Sequence, residues 1–195
     1  MTKSDGPVVH QQKTFTDVNY AGKRLKNREF IRCEFIGCDF SKSDLRGNDF
    51  VDCHFKQCNF SMAILNSAGF RDVCFTECKM LGIDFTQCNR LMFSFSFYGC
   101  ILDYSTFLGT RLRKTPFKEC SLKEVDFSEA DLTSADFSNA DLSGARFSNT
   151  VLEKADFRTA LNFGIDPDFN KLKKARFSAM NLSGLLYKYN LDIEF

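Results

Sequence analysis

A large apolar residue returns at every fifth position along most of this chain, and few folds tolerate that spacing. In DFSEADLTSADFSNADLSGARF (126–147), Phe or Leu stands at 127, 132, 137, 142 and 147, usually with Ala two places before it. In an α-helix five residues advance roughly 500°, so such positions walk around the cylinder and make no stripe. In a strand an odd spacing sends successive large residues to opposite faces. The chain must therefore turn within every five residues. The centre and the small residue two before it point inward, and the other three positions face water.

The register holds over most of the sequence. From Phe15 the centres run through Tyr20, Leu25, Phe30 and onward to Met80 and Phe85, all apolar but for the Tyr hydroxyl. A second register runs from Met92 through Phe97 and Leu102 to Leu152 and Phe157, and resumes at Leu172 and Phe177. The registers differ by two residues, which places a bulge or short loop within 86–95. Leu25, Leu45 and Leu65 are twenty apart, as are Phe30, Phe50 and Phe70. Four pentads thus form one coil with like side chains stacked between coils. The fold class is all-β, a square-sided β-solenoid. Ser, Thr, Asn, Asp and Gly between the centres are turn formers. With coils about 4.8 Å apart, residues 15–177 make about eight coils and a rod about 40 Å long.

These residues resemble the pentapeptide-repeat family, whose motif is A-(D/N)-L-x-x. Ala130-Asp131-Leu132, Ala135-Asp136-Phe137, Ala140-Asp141-Leu142 and Ala155-Asp156-Phe157 match it. The resemblance implies a right-handed quadrilateral β-helix. The domain reading is a flexible leader over 1–12, repeats over 13–177 with a non-repeat insertion at 160–171, and a C-terminal segment over 178–195.

Eight of the nine cysteines (Cys33, Cys38, Cys53, Cys58, Cys78, Cys88, Cys100, Cys120) occupy the small inward slot, so packing accounts for them. Cys74 is out of phase and faces outward. Metal-ligand spacing of the C-x-x-C type is absent. Nine thiols without a secretory h-region fit a reducing, cytoplasmic setting, and no apolar run approaches a membrane span. His10 falls in the leader, and His54 sits just before a centre, facing water. No nucleophile–imidazole–carboxylate pattern or phosphate-binding loop is present, so the expectation is a binding protein with no enzyme activity and no cofactor.

Net charge is +1, unevenly spread: 17 Lys/Arg and 13 Asp/Glu over 1–120, 4 and 8 over 121–160, 5 and 4 over 161–195. Glu124, Asp126, Glu129, Asp131, Asp136, Asp141, Glu153 and Asp156 fall within two coils. Their net −4 is about one charge per 2.4 Å of rod, against about one per 1.7 Å for duplex DNA. A rod carrying that charge matches a DNA-binding groove, while Asp is equally a good solvated corner residue. Asp136 and Asp156 are expected on one side, and Arg146 beside Asp126 one coil below.

Pro167 interrupts the repeat. Beyond Ser178, a candidate N-cap, Leu182, Leu185, Leu186 and Tyr189 recur at helical spacing, followed by Leu191 and Ile193. Gly184 weakens that helix. A solenoid end needs a cap, and an apolar cap can also pair two copies. Ala160, Asn162, Ile165, Asp166, Pro167, Asn170, Leu172, Lys173, Ala175, Phe177 and Ser178, with GLLYKYNLDIEF after them, resemble the subgroup that protects type II DNA topoisomerases from quinolones, albicidin or microcin-type toxins. That resemblance implies a C-terminal head-to-head homodimer that binds gyrase or topoisomerase IV in place of DNA, with no direct nucleic-acid or membrane contact. The other reading is a scaffolding solenoid with an unrelated cytosolic partner.

Overall fold

The computed structural model describes residues 6–192. Among the described residues nine short strands are joined in parallel: β1 (Val8–Gln11), β2 (Thr14–Thr16), β3 (Arg28–Ile31), β4 (Glu34–Ile36), β5 (Asp49–Val51), β6 (His54–Lys56), β7 (Gly69–Thr76), β8 (Phe93–Tyr98) and β9 (Phe117–Lys118). In the regular coils each pairs with its counterpart twenty residues on, as in Phe30↔Phe50 and Phe35↔Phe55. β1, β3 and β5 form a first wall and β2, β4 and β6 a second; β7 rounds the corner and pairs with both. The other two walls are ladders of single parallel bridges, such as Asn19↔Asp39↔Asn59 and Arg24↔Asp44↔Ile64. The fold is a parallel β-solenoid with four sides per coil.

The bore is filled by the pentad centres. On the second wall one column runs Phe15, Phe35, Phe55, Phe75, Phe97, Phe117, Phe137, Phe157 and Phe177, with neighbouring rings stacked 4.6 to 5.4 Å apart. Rings of adjacent walls meet edge to face, as Phe55 does with Phe60 at 5.0 Å and 83°. Both arrangements suit the ring quadrupole and add about 0.5–1.5 kcal/mol per pair to burial. Every centre of the first register from Leu25 through Phe85 is buried.

Two kinds of corner turn the chain. The residue two after nearly every centre is left-handed, with φ near +55° to +65° at Lys42, Met62, Tyr104 and Glu129 as well as at Gly47 and Gly109. Where Ala or Ser follows, its N–H closes a tight turn onto the centre's carbonyl, as Ala63 does on Phe60 at 2.9 Å. At Cys38, Cys58, Cys78 and Cys100 the thiol instead donates to a carbonyl in the coil below, that of Phe15, Phe35, Phe55 and Phe75, at 3.3–3.4 Å. The thiols therefore satisfy the backbone as well as fill the slot. Burial pushes Cys53 and Cys88 up to about 12, so both stay protonated.

Four expectations need correction. The leader is not free over its described residues: Val8–Gln11 is β1, in register with Arg28–Ile31. His10 takes a Phe position there, stacked on Phe30 at 4.8 Å, with its Nε2 accepting from Arg28 at 2.8 Å. The second register takes hold at Phe97, not at Met92, because Phe95 turns into the bore while Met92 stays half-buried against Gly69. The ladder offset there becomes 23 at Phe70↔Phe93 and 22 at Phe75↔Phe97. Residues 160–171 insert nothing: Asp141↔Leu161 and Val151↔Lys171 keep the twenty-residue offset, and Phe163 and Ile165 are buried in place of the regular centres. The C-terminal helix is of the tighter 3₁₀ type, over Ala179–Leu185 and Tyr187–Tyr189. His54 does face outward, where its Nε2 lies 2.9 Å from Thr76 Oγ1.

Phe55 has rings stacked on both sides and is fully buried. Phe55→Ala is expected to cost about 3–5 kcal/mol in urea unfolding. Replacement of exposed Met62 by Ala is expected to change stability by less than about 0.5 kcal/mol.

Candidate functional site

The solenoid sets the eight acidic residues by pentad position. Asp126, Asp131, Asp136, Asp141 and Asp156 each stand just before a centre, on the outer face of a wall. The five lie on all four walls, because consecutive pentads occupy consecutive sides. Of these residues the structure brings together Asp136 and Asp156, which are bridged partners in adjacent coils. Arg146 sits above Asp126 at 3.3 Å, as the spacing suggested.

The Asp carboxylates are held by their corners. Each accepts from the backbone N–H two residues on, and hydroxyls add to this: Thr133 to Asp131 at 2.6 Å, Ser138 to Asp136 at 2.5 Å and Ser143 to Asp141 at 2.6 Å. Each also meets a cation. Arg113 lies 2.6 Å from Asp131, Lys118 3.1 Å from Asp136 and Lys123 3.3 Å from Asp141; Arg158 and Arg176 lie 2.8 and 3.1 Å from Asp156. At Asp141, burial alone raises the pKa, but the hydrogen bonds from Ser143 and Asn162 and the Lys123 ammonium outweigh it and hold the carboxyl at about 2. Asp44 is likewise held at about 2, chiefly by its hydrogen bonds from Arg46.

The three glutamates differ. Glu124 and Glu129 project from left-handed corners and are exposed; Glu153 is half-buried. None is in an ion pair with the described residues. Glu124 lies across Gly144 of the next coil, where an added Cβ would come within 2.5 Å of its carboxylate. Glu119, outside the acidic window, belongs with them: Glu119, Glu124 and Glu129 occupy three successive corners of one coil. The signal was available in the pentad position, since the residue two after a centre is the one driven outward.

The C-terminal end closes the bore. Ser178 caps the 3₁₀ turn by accepting from Met180 N–H, and Asn181 returns the bond to Ser178 N–H at 3.1 Å. Asn181 Nδ2 also donates to the carbonyls of Phe157 and Ala160, covering strand groups of the last full coil. Gly184 lies against Phe163, where an added Cβ would be 2.5 Å from both its ring and its carbonyl oxygen. Lys188 bridges Asp166 at 2.7 Å and Asp168. Leu185 packs on the core, whereas Leu182, Leu186, Tyr189 and Leu191 are exposed, beside Met180 and Tyr187. Ile193 lies outside the described residues. The cap thus presents apolar side chains outward.

A family model described as the pentapeptide repeat region matches residues 28–95 and 91–157. The chain belongs to the pentapeptide repeat family. Solved pentapeptide repeat proteins are similar to it. HetL, a pentapeptide repeat protein involved in heterocyst differentiation regulation in the cyanobacterium Nostoc sp., is 18% identical, with a TM-score of 0.57 over 90% of this chain and 89% of its own. Full-length QnrB1, a plasmid-mediated fluoroquinolone resistance protein, is 18% identical, with a TM-score of 0.49 over 94% of this chain and 100% of its own. The likeness to HetL, at this identity, speaks for the fold alone. A search of curated protein sequences found no match. No helix among the described residues is long and apolar enough to cross a membrane.

Two measurements test the roles given to these groups. Carboxylates with lowered pKa add stability that is complete above their unfolded value near 3.8 and is lost as pH falls through the folded value. The melting temperature should therefore fall steeply between about pH 4 and pH 2, and Asp141→Asn should flatten that slope. Gly184→Ala should cost about 1–3 kcal/mol despite the better helix propensity of Ala, because a backbone carbonyl blocks the methyl.

Proposed function

We propose that this pentapeptide repeat protein binds a bacterial type II DNA topoisomerase, gyrase or topoisomerase IV, as a DNA-like rod, and modulates its response to quinolone- or toxin-type inhibitors. The observation that carries the reading is the corner carboxylates Glu119, Glu124 and Glu129, which no described residue neutralises, a few coils from an apolar C-terminal cap. A second copy joined at that cap, through Leu182, Leu186, Tyr189 and Leu191, places two such sets either side of the centre of a doubled rod. The resemblance of residues 160–195 to the topoisomerase-protecting subgroup supports the same partner. The five aspartates contribute less, because each is already bonded to Lys or Arg.

That neutralisation favours a second reading, a scaffolding solenoid whose cytosolic partner is unrelated. Gyrase supercoiling with and without a fluoroquinolone separates the two. The topoisomerase reading expects added protein to change supercoiling or the drug dose that stops it, and expects Glu119→Lys, Glu124→Lys and Glu129→Lys together to abolish the effect. No change in either condition at high micromolar protein rules it out. Leu186→Glu with Tyr189→Glu should convert a dimer to monomer in sedimentation.

A further inference from the structure

The parallel ladder is interrupted on the first wall, and the interruption leaves an edge inside the tube. Residues 89–92 bond backward, where Asn89 N–H donates to Ala68 and Met92 C=O accepts from Phe70. No backbone bond joins them forward to 109–113. In the regular coils, the residue before a centre donates to the coil below. Its own carbonyl, and the one after the centre, accept from there: at Leu45, Asp44 N–H donates to Lys23 and Asp44 C=O accepts from Leu25 N–H. At Leu112 the equivalent groups are Arg111 N–H, Arg111 C=O and Arg113 C=O, and among the described residues none has a partner from below.

Beneath this edge lies a cavity of about 230 Å³ lined by Phe85, Phe93, Thr86, Thr110, Arg90 and Arg111. Its floor is aromatic and its rim is cationic. Neither Arg90 nor Arg111 is in an ion pair with a described residue, whereas Arg113 is held by Asp131. Leu91 stands beside it 94% exposed.

We propose that this gap is a docking site for a short extended peptide segment of a partner protein, with an apolar side chain flanked by carboxylates. An unpaired strand edge is a template for added strand. One peptide carbonyl would accept from Arg111 N–H, and two peptide N–H groups would donate to the carbonyls of Arg111 and Arg113. The apolar side chain fills the cavity over Phe85 and Phe93. The flanking carboxylates meet Arg90 and Arg111, which no described carboxylate neutralises. The site is independent of the acidic corners and of the cap.

The probe is the blocked pentapeptide Asp-Phe-Asp-Leu-Glu, titrated into the full ¹⁵N-labelled chain. The expected result is amide shifts at Arg111, Leu112 and Arg113, with slowed exchange at Arg111 N–H. Arg90→Glu with Arg111→Glu should weaken binding at least about tenfold, in a variant whose far-UV dichroism matches the parent. A peptide N-methylated at its central residues should lose the shifts, which separates strand pairing from charge attraction alone. Absence of shifts at millimolar peptide overturns the proposal. So do shifts confined to another surface, equal binding by the Lys-for-acid peptide, or equal binding by the N-methylated one.

Discussion

Stacking of identical side chains at the spacing of the backbone ladder is the interaction on which this structure depends. Parallel strands sit about 4.8 Å apart, and rings along the Phe15 column sit 4.6 to 5.4 Å apart. Backbone hydrogen bonding and aromatic contact therefore reach their preferred distances in the same geometry. A polar centre deep in the bore would be buried without a hydrogen-bond partner, which is why the bore admits Phe, Leu and Met through so many coils.

Where that agreement fails, surface chemistry becomes available. The extra residues between Phe85 and Phe97 detach one wall from the coil above, opening an edge over Phe85 and Phe93. At the C-terminus Pro167 and Asn170 replace the regular pattern, the fourth column stops at Phe147, and the 3₁₀ cap turns apolar groups outward. In the uninterrupted coils many of the outer charges are paired, as in Arg24–Asp44 and Lys118–Asp136, each pair of small individual worth at an exposed surface. Candidate contacts with partners thus concentrate at the defects and at the corners.

The pentad period made the fold legible because it excludes helix and flat strand, and the twenty-residue return of Leu25, Leu45 and Leu65 set the number of sides. Glu119 was missed because a charge window was drawn by sequence position rather than by corner. His10 was misplaced because its imidazole does not look like a repeat centre, although it stacks on Phe30 as a Phe would. Lys42, Met62 and Tyr104 hold left-handed φ with no propensity to announce it; the ladder imposes the corner, and the residue accepts it. Likewise Gly184 reads as a helix breaker in sequence, while its contact with Phe163 shows it to be a requirement for close approach.

The sequence by itself determined the tube: which residues point in, where coils return, and where the register slips by two. Those follow from a period that only one winding can satisfy. Tertiary structure alone decided which charges remain free, because most ion pairs join residues roughly twenty apart and depend on the reach of each Lys or Arg across a coil. It also decided that the slip near Phe93 opens a gap and that Phe95, rather than Met92, enters the bore. An offset of two residues can be accommodated by several paths, and packing against Phe70 and Phe85 selects one.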